Sequence, residues 1–206
     1  VSSKYFTFNS SNPEVATVEE NVISFHGAKD RAVLTPNEAE GAITITGVYD
    51  FAPTPTHDAN KVISLYCDDY ENTLTSPMNG YWTGDGQTTT NNEITLDDNI
   101  HIMHYGLLNF VGIVFNKDAD TTSKTHLHMD ILLQDETDDT PKLDITAAID
   151  ASGAAAGKVT AELQSNKWVA VDVPLNGAAS IHQISMAVPQ GTPTLQDILV
   201  DNIYFY

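Results

Sequence analysis

The sequence has little cysteine, little basic charge and no long apolar run. Cys67 is the only cysteine among 206 residues, so no disulfide can form within the chain. It ends the apolar run Val62–Tyr66, and we interpret it as a small, buried, inert side chain. No stretch is apolar over the roughly 20 residues that a membrane-spanning helix needs, which argues against membrane insertion. The sequence starts at Val1 without an initiating Met, and we interpret it as a trimmed or mature fragment.

Basic residues are scarce relative to acids. The chain has 28 Asp and Glu against 9 Lys and Arg, for a formal net charge of −19. Nucleic acid binding depends on Lys and Arg that neutralise phosphates, so this balance argues against it. It argues equally against anionic membrane surfaces. A neutral or cationic partner, or Ca²⁺, fits the charge, and so does solubility alone.

The pattern of apolar residues predicts an all-β protein, a β-sandwich of the jelly-roll type with extra N-terminal strands. Short runs of Val, Ile, Thr, Tyr and Phe alternate with Gly, Asn, Asp and Pro, which is typical of sandwiches and barrels. No segment has a sustained helical stripe. Two glycines interrupt the Ala-rich segment 151–157, which we interpret as a loop. The predicted strands are 4–8, 15–18, 22–25, 31–35, 42–46, 62–66, 93–96, 100–105, 108–115, 125–133, 143–149, 158–163, 168–173, 182–188 and 198–206.

A proline-containing segment, Phe51–His57, is the main candidate for a domain boundary. Pro53 and Pro55 favour extended backbone and discourage strand pairing. Residues 1–50 are then an accessory module or extra strands, and residues 51–206 are the main sandwich. Ser10–Val18 resembles the start of a bacterial Ig-like repeat.

Asp201 interrupts the apolar pattern of the last predicted strand. At period two, Leu199, Asp201, Ile203 and Phe205 share one face, which would place a carboxylate in an apolar row. A buried charge must be paired with a base, hydrogen-bonded to groups such as backbone N–H, or bound to a cation, and acids outnumber bases here. A bound cation is therefore a more available partner than an ion pair.

Five stretches, in this order and spacing, resemble a carbohydrate-binding β-sandwich module. Modules of this kind are appended to laminarinase-type and other glycoside hydrolases of Bacteroidetes-type bacteria, and to their surface glycan-binding proteins. The resemblance covers about residues 50–206. The stretches are Val62–Tyr70, Tyr81–Thr88, His126–Ile131, Trp168–Leu175 and Val200–Phe205.

The resemblance implies a jelly roll without catalysis that tethers a parent enzyme or surface protein to polysaccharide. It also implies a secreted or cell-surface location, a role in glycan utilisation and a place in a larger multidomain protein. The expected ligand is a neutral glycan such as a β-glucan. Leu132 departs from the family, which often has an aromatic residue after the strand that carries His128 and Asp130.

The predicted ligand contacts lie mainly in one glycine-rich loop. Trp82 suits stacking on a pyranose, because no apolar alternation requires a ring at this position, although it could instead plug the sandwich edge. Tyr81, Asp85 and Gln87 of the same loop are further candidates. His104 and Tyr105 are candidates outside the loop. They lie on opposite faces of a strand, so only one of them can reach a given surface. Trp168 is expected to face outward or cover an edge, chiefly in a structural role. The predicted ligand contacts besides Trp82 are therefore Tyr81, Asp85, Gln87, His104 and Tyr105.

Two metal sites can be considered. In related sandwiches the first and last strands of the module lie close together and a Ca²⁺ often joins them, which implies a structural calcium site with oxygen ligands. His126, His128 and Asp130 project from one strand face and could bind Zn²⁺, but strand histidines on polar sheet faces are common. The candidate calcium ligands are Asp201, Asp68, Asp69, Glu71 and Asn72.

Two other functions compete with glycan binding. A structural Ig-like spacer of a cell-surface protein would show no exposed aromatic platform. A jelly-roll glycosidase or lyase would need a carboxylate pair at catalytic spacing. Among 28 acids such a pair is easy to find, so finding one would not indicate an enzyme. No strand shows clustered acids, so we predict that the protein is not an enzyme.

Overall fold

The computed structural model describes residues 8–19, 22–26, 32–36, 51–79, 86–96, 100–135, 137 and 139–206. The chain divides into two compact units, one of residues 1–51 and 96–98 and the other of residues 52–95 and 99–206. The assignment of residues 1–50 as Ig-like or accessory strands stays a prediction. In the described part of the chain, no helix is long and apolar enough to cross a membrane.

The N-terminal unit contains two antiparallel strand pairs among its described residues. Strand β1 (Phe8–Ser10) pairs with β4 (Leu34–Pro36), and β2 (Ala16–Glu19) pairs with β3 (Val22–Phe25). Its small core consists of Val15, Ala16, Ala32 and Leu34.

The larger unit is a β-sandwich, as the sequence predicts. Its strands are β5 (Ile63–Tyr66), β6 (Thr90–Leu96), β7 (Ile100–Leu108), β8 (Phe110–Asp120), β9 (His126–Leu133), β10 (Lys142–Ala148), β11 (Ala155–Glu162), β12 (Trp168–Pro174), β13 (Ser180–Ala187) and β14 (Leu195–Phe205). A four-stranded sheet has the order β11-β10-β13-β8. A six-stranded sheet has the order β12-β9-β14-β7-β6, with β5 paired to β14.

Alternating apolar residues of both sheets form the sandwich core. Ile145 and Ile184 contribute from the small sheet, and Met129, Ile131 and Phe205 from the large one; all five side chains are fully buried. The alternation arises because successive side chains of a strand point to opposite faces.

Strand β14 lies inside the large sheet, with β9 on one side and β7 followed by β5 on the other. The first and last strands of this unit therefore pair directly. A β-bulge interrupts the pairing of β14 between Asp201 and Tyr204, and Asn202 there has φ of 53°.

One edge of the sandwich is closed where β11 approaches β12. A Cβ on Gly157 would overlap the carbonyl oxygen of Pro174, so only glycine allows this close approach. The interpretation of residues 151–157 as a loop is therefore wrong for residues 155–157, which begin β11.

Candidate functional site

The bulge changes the face on which Asp201 lies. Val200 before it and Ile203 after it both belong to the core, and one extra residue is inserted between them. Asp201 therefore lies on the outer face of the large sheet. The prediction that it shares a face with Ile203 and Phe205 is wrong, because a bulge shifts the alternation by one position.

Asp201 lies directly opposite Asp130 of β9, and both carboxylates are buried. Their exposed fractions are 8% and 2%. The backbone N–H of Asn202 donates to Asp201 Oδ1 at 2.7 Å. The Oδ1 atom of Asp130 is buried and has no hydrogen-bond partner. Two buried carboxylates, one of which has an oxygen without a hydrogen-bond partner, are oxygen ligands that suit a cation.

Asn202 connects this acid pair to the rest of the sandwich. Its Nδ2 donates to Asp130 Oδ2 and to the Pro53 carbonyl, each at 2.8 Å. The thiol of Cys67 donates to Asn202 Oδ1 at 3.2 Å. Cys67 is buried, as predicted; burial, with nearby acids, raises the pKa of its thiol to about 12.

The other predicted calcium ligands have partners of their own. Asp68 accepts from the backbone N–H of His101 at 2.6 Å, and its Oδ1 lies 2.9 Å from His101 Nδ1. Asn72 Oδ1 accepts from the Ser64 hydroxyl and the Cys67 N–H. Asp69 and Glu71 lie exposed beside them. The described residues contain no group of three or more His, Cys, Asp or Glu arranged as metal ligands, and the calcium site stays a prediction.

The outer face carries a cluster of six rings where β9 and β14 pair near Tyr206. The His57 ring stacks on Tyr206, with centroids 3.9 Å apart, and the His126 ring lies nearly parallel to Tyr206 at 5.3 Å. The Tyr204 ring contacts His57, Tyr70 and His128, and Tyr204 is itself buried. This ring cluster consists of His57, Tyr70, His126, His128, Tyr204 and Tyr206.

Asp172 provides charge at the border of the ring cluster. Its Oδ1 lies 2.8 Å from His128 Nδ1. Burial of His128 opposes its charged form, but hydrogen bonds to Asp130 and Asp172 outweigh burial and raise the imidazole pKa. Burial and the charge of Asp172 raise the pKa of Tyr206. The cluster thus combines rings with hydrogen-bonding groups.

The proline-containing segment is bound to the same region. Besides the Pro53 carbonyl, the His57 carbonyl accepts a hydrogen bond from the Tyr70 hydroxyl at 2.6 Å. Sequence reasoning missed His57 and Tyr206 as candidates, because ring stacking between residues so far apart leaves no local signal.

His104 and Tyr105 lie on opposite faces, as predicted. Tyr105 is fully buried in the core, and its hydroxyl donates to the Met78 carbonyl at 2.7 Å. As a ligand contact it is therefore a wrong choice, because its ring does not reach the surface. His104 lies outward, with Nδ1 2.8 Å from Asn92 Oδ1 and Nε2 2.8 Å from Asp197 Oδ1.

The middle of the outer face is closed. Leu132 and Leu199 are 2% and 1% exposed, although both alternate with core residues and so lie on the outer side. Trp168 is directly opposite Leu132 at the edge strand and is partly exposed, which agrees with its predicted outward position. A ligand can therefore reach the borders of this face more readily than its centre.

Three of the loop candidates, Trp82, Tyr81 and Asp85, lie outside the described residues. Gln87 is half-buried, and its Nε2 donates to the Phe110 carbonyl at 3.1 Å. Its Oε1 is buried without a hydrogen-bond partner. This part of the loop is therefore held to the start of β8.

The zinc interpretation is not favoured by the orientation of the histidines. His126 stacks on Tyr206 and its Nδ1 lies 2.9 Å from the Thr125 hydroxyl. His128 lies between two carboxylates, with Nε2 3.4 Å from Asp130 Oδ2. The two imidazoles therefore have different partners.

No protein-family model and no curated protein matches the sequence. A family 11 carbohydrate-binding module from Clostridium thermocellum, solved with a β-1,3-1,4-mixed-linked tetrasaccharide, is 12% identical with a TM-score of 0.44, over 70% of this chain and 94% of its own. A variant of a family 29 carbohydrate-binding module is 13% identical with a TM-score of 0.44, over 70% and 89%. An arabinose-bound α-L-arabinofuranosidase is 7% identical with a TM-score of 0.36, over 57% and 22%. The first two are of the class that the sequence resembles, and at these values we infer nothing from them about the ligand.

Proposed function

We propose that the protein binds polysaccharide without catalysis, and that the ligand is a neutral glycan such as a β-glucan. The observation that carries this proposal is the ring cluster on the outer face of the large sheet. His57 is exposed, and Tyr206 and His126 are partly exposed. Rings that are already ordered by stacking lose little conformational freedom when a ligand binds.

The chemistry of the cluster suits a sugar. Ring faces can contact the C–H faces of pyranoses, and the imidazole and carboxylate groups of His128 and Asp172 can exchange hydrogen bonds with hydroxyls. The same elements recur in the His104 group, where an imidazole, an amide and a carboxylate lie together. Trp82, Tyr81 and Asp85 remain proposed contacts of the glycine-rich loop.

In this role the module would tether a parent enzyme or surface protein to its polysaccharide outside the cell. We propose no catalytic residues. Asp130 and Asp201 are directly opposed on the outer face, but both are buried and hydrogen-bonded to Asn202. A hydrolytic pair would need access to the glycosidic bond.

Affinity electrophoresis against neutral glycans, including mixed-linkage β-glucan and laminarin, tests the proposal. The wild-type protein should be retarded by at least one of them. Tyr206→Ala and His57→Ala should each weaken binding about tenfold, since an aromatic contact contributes on the order of 1 kcal/mol beyond its buried area. Trp82→Ala tests the loop in the same assay.

Phe25→Ala is the matched control, because it removes an exposed ring from the N-terminal unit. It should leave retardation unchanged. If no glycan retards the protein, or if the Tyr206 and His57 variants migrate like Phe25→Ala, the ring cluster is not a glycan site.

A structural spacer is the second candidate, and the burial of Leu132 and Leu199 favours it. A closed outer face leaves less surface for a polysaccharide chain. Absence of retardation by the whole panel, together with an unchanged melting temperature in every glycan, would support the spacer.

A further inference from the structure

A concave site lies beside β5, β6 and β7, and its described lining includes no residue of the ring cluster. It is a pocket of about 410 Å³, which is within the range of small-molecule sites. Leu65, Leu74, Met78 and Met103 line its interior, and each is at most 5% exposed. Asn72, Thr75 and Ser76 also line the pocket, so polar side chains accompany its aliphatic and thioether groups.

Two carboxylates stand at the mouth of this pocket. Glu93 accepts a hydrogen bond from the Tyr66 hydroxyl at 3.1 Å, and Asp68 is held by the backbone and ring of His101. All four of these residues line the pocket. Neutral hydrogen bonds orient Glu93 without neutralising its charge.

The pocket mouth is strongly negative. None of the described residues that line it is Lys or Arg. Burial, followed by the charge of Glu93, raises the pKa of the Tyr66 phenol well above its usual range. The Asp68 hydrogen bond raises the pKa of His101. The charge of Glu93 adds to the effect of burial on Tyr66, and Asp68 stabilises the protonated form of His101.

We propose that this pocket binds a primary ammonium group carried on a short apolar body, with the ammonium at Glu93 and Asp68 and the body against Met78 and Met103. Burial of each methylene contributes on the order of 0.8 kcal/mol, and the ammonium gains charge-assisted hydrogen bonds.

A divalent cation fits this pocket less well. Ca²⁺ takes six to eight oxygen ligands, whereas the described lining of this pocket contains only two carboxylates, Asp68 and Glu93. An alkylammonium uses both the charge at the mouth and the apolar interior.

Methionine methyl NMR provides a direct test, because the chain has four methionines. Met78 and Met103 line the pocket, whereas Met129 and Met186 are fully buried in the core. Titration of the full chain with n-pentylamine should shift the first two methyl signals and leave the other two in place. We expect a dissociation constant on the order of 1 mM for so small a ligand.

Three comparisons isolate the charge. n-Pentanol, which has the same body without the ammonium, should bind at least fivefold more weakly. Glu93→Gln should weaken pentylamine about fivefold, since the pair is partly exposed to solvent. Glu162→Gln, a matched change at an exposed acid on β11, should have no effect.

Glucosamine and CaCl₂ distinguish the sources of positive charge. Tighter binding of glucosamine than of pentylamine would overturn the assignment of an apolar body, because glucosamine carries its ammonium on a polar ring. Shifts of Met78 and Met103 with CaCl₂ but not with either amine would overturn the proposal, and so would equal binding of pentanol and pentylamine or unchanged binding by Glu93→Gln. No residue of the ring cluster lines this pocket, so failure here leaves the glycan proposal standing.

Discussion

Asn202 connects four segments of the larger unit through one side chain and its own backbone N–H. Its amide reaches Asp130 and Pro53, and its carbonyl accepts from Cys67, while its left-handed backbone forms the bulge. Asparagine adopts positive φ more readily than most residues. The residue therefore satisfies both the hydrogen bonding and the backbone geometry of the bulge.

Asn202→Ala should lower the free energy of unfolding by about 2–4 kcal/mol, because it leaves buried polar groups without partners and places alanine at positive φ. Urea denaturation measures the loss. Asn166→Ala is the matched control, since Asn166 has φ of 55° but is exposed. A difference below about 0.5 kcal/mol between the two variants would show that the hydrogen bonds of Asn202 contribute little.

His101 should make stability depend on pH in a defined direction. Its pKa is raised by Asp68 in the folded protein, so protonation favours the folded state. The contribution is complete below the ordinary imidazole pKa of about 6.5 and is lost as pH rises through the raised value. Because the side chain is 35% exposed, screening keeps the effect small.

Melting temperatures of the wild type and His101→Gln, measured from about pH 5.5 to 8.5, test this prediction. The difference between them should be largest at the acidic end and shrink as pH rises. A difference that grows with pH would contradict the assigned pairing with Asp68.

Single residues show where sequence reasoning succeeds and where it fails. The apolar run before Cys67 predicts its burial, and the structure confirms it. Two-residue alternation predicts the face of Asp201 only if the strand is regular. The alternation of the sequence does not reveal the bulge at Asn202. The choice between His104 and Tyr105 depends on which face meets the core, which the alternation of β7 alone does not decide.

At the scale of elements, β11 and β12 join the two sheets at one edge through a backbone contact. Gly157→Ala should destabilise the protein by about 1–3 kcal/mol, since the added methyl overlaps the Pro174 carbonyl and one strand must move. The urea midpoint reports the change. An unchanged midpoint would mean that the edge opens without cost.

Most strands follow from runs of β-branched and aromatic residues, and the structure confirms the β-sandwich. The start of β11 was missed because alanine and glycine are poor strand formers. Its pairing with β10 and its contact with Pro174 override that local preference. The segment at residues 51–57 lacks strand pairing, as its prolines predict, but its hydrogen bonds to Asn202 and Tyr70 depend on distant residues.

At the scale of the whole molecule, 28 acids and 9 bases leave few cations to balance the buried pair of Asp130 and Asp201. We predict that Ca²⁺ supplies this balance. Saturating CaCl₂ should raise the melting temperature by about 5 °C or more relative to EDTA, because an ion that binds only the folded state stabilises it.

Asp201→Asn should abolish the calcium-dependent shift. Asp139→Asn, which changes an acid in an exposed loop, should preserve it. Equal melting temperatures of the wild type in EDTA and in CaCl₂ would show that calcium does not stabilise the protein. Hydrogen bonds alone would then stabilise the acid pair.

The position of β14 also determines how the chain can fold. Cys67 and Asn202 meet although they are 135 residues apart in sequence, and β14 separates β9 from β7 in the finished sheet. Closing so long a loop costs entropy before any contact repays it, so folding should be slow for the size of the domain. Until β14 inserts, β7 and β9 each present an unpaired edge, which makes the incomplete sheet the state most prone to aggregation.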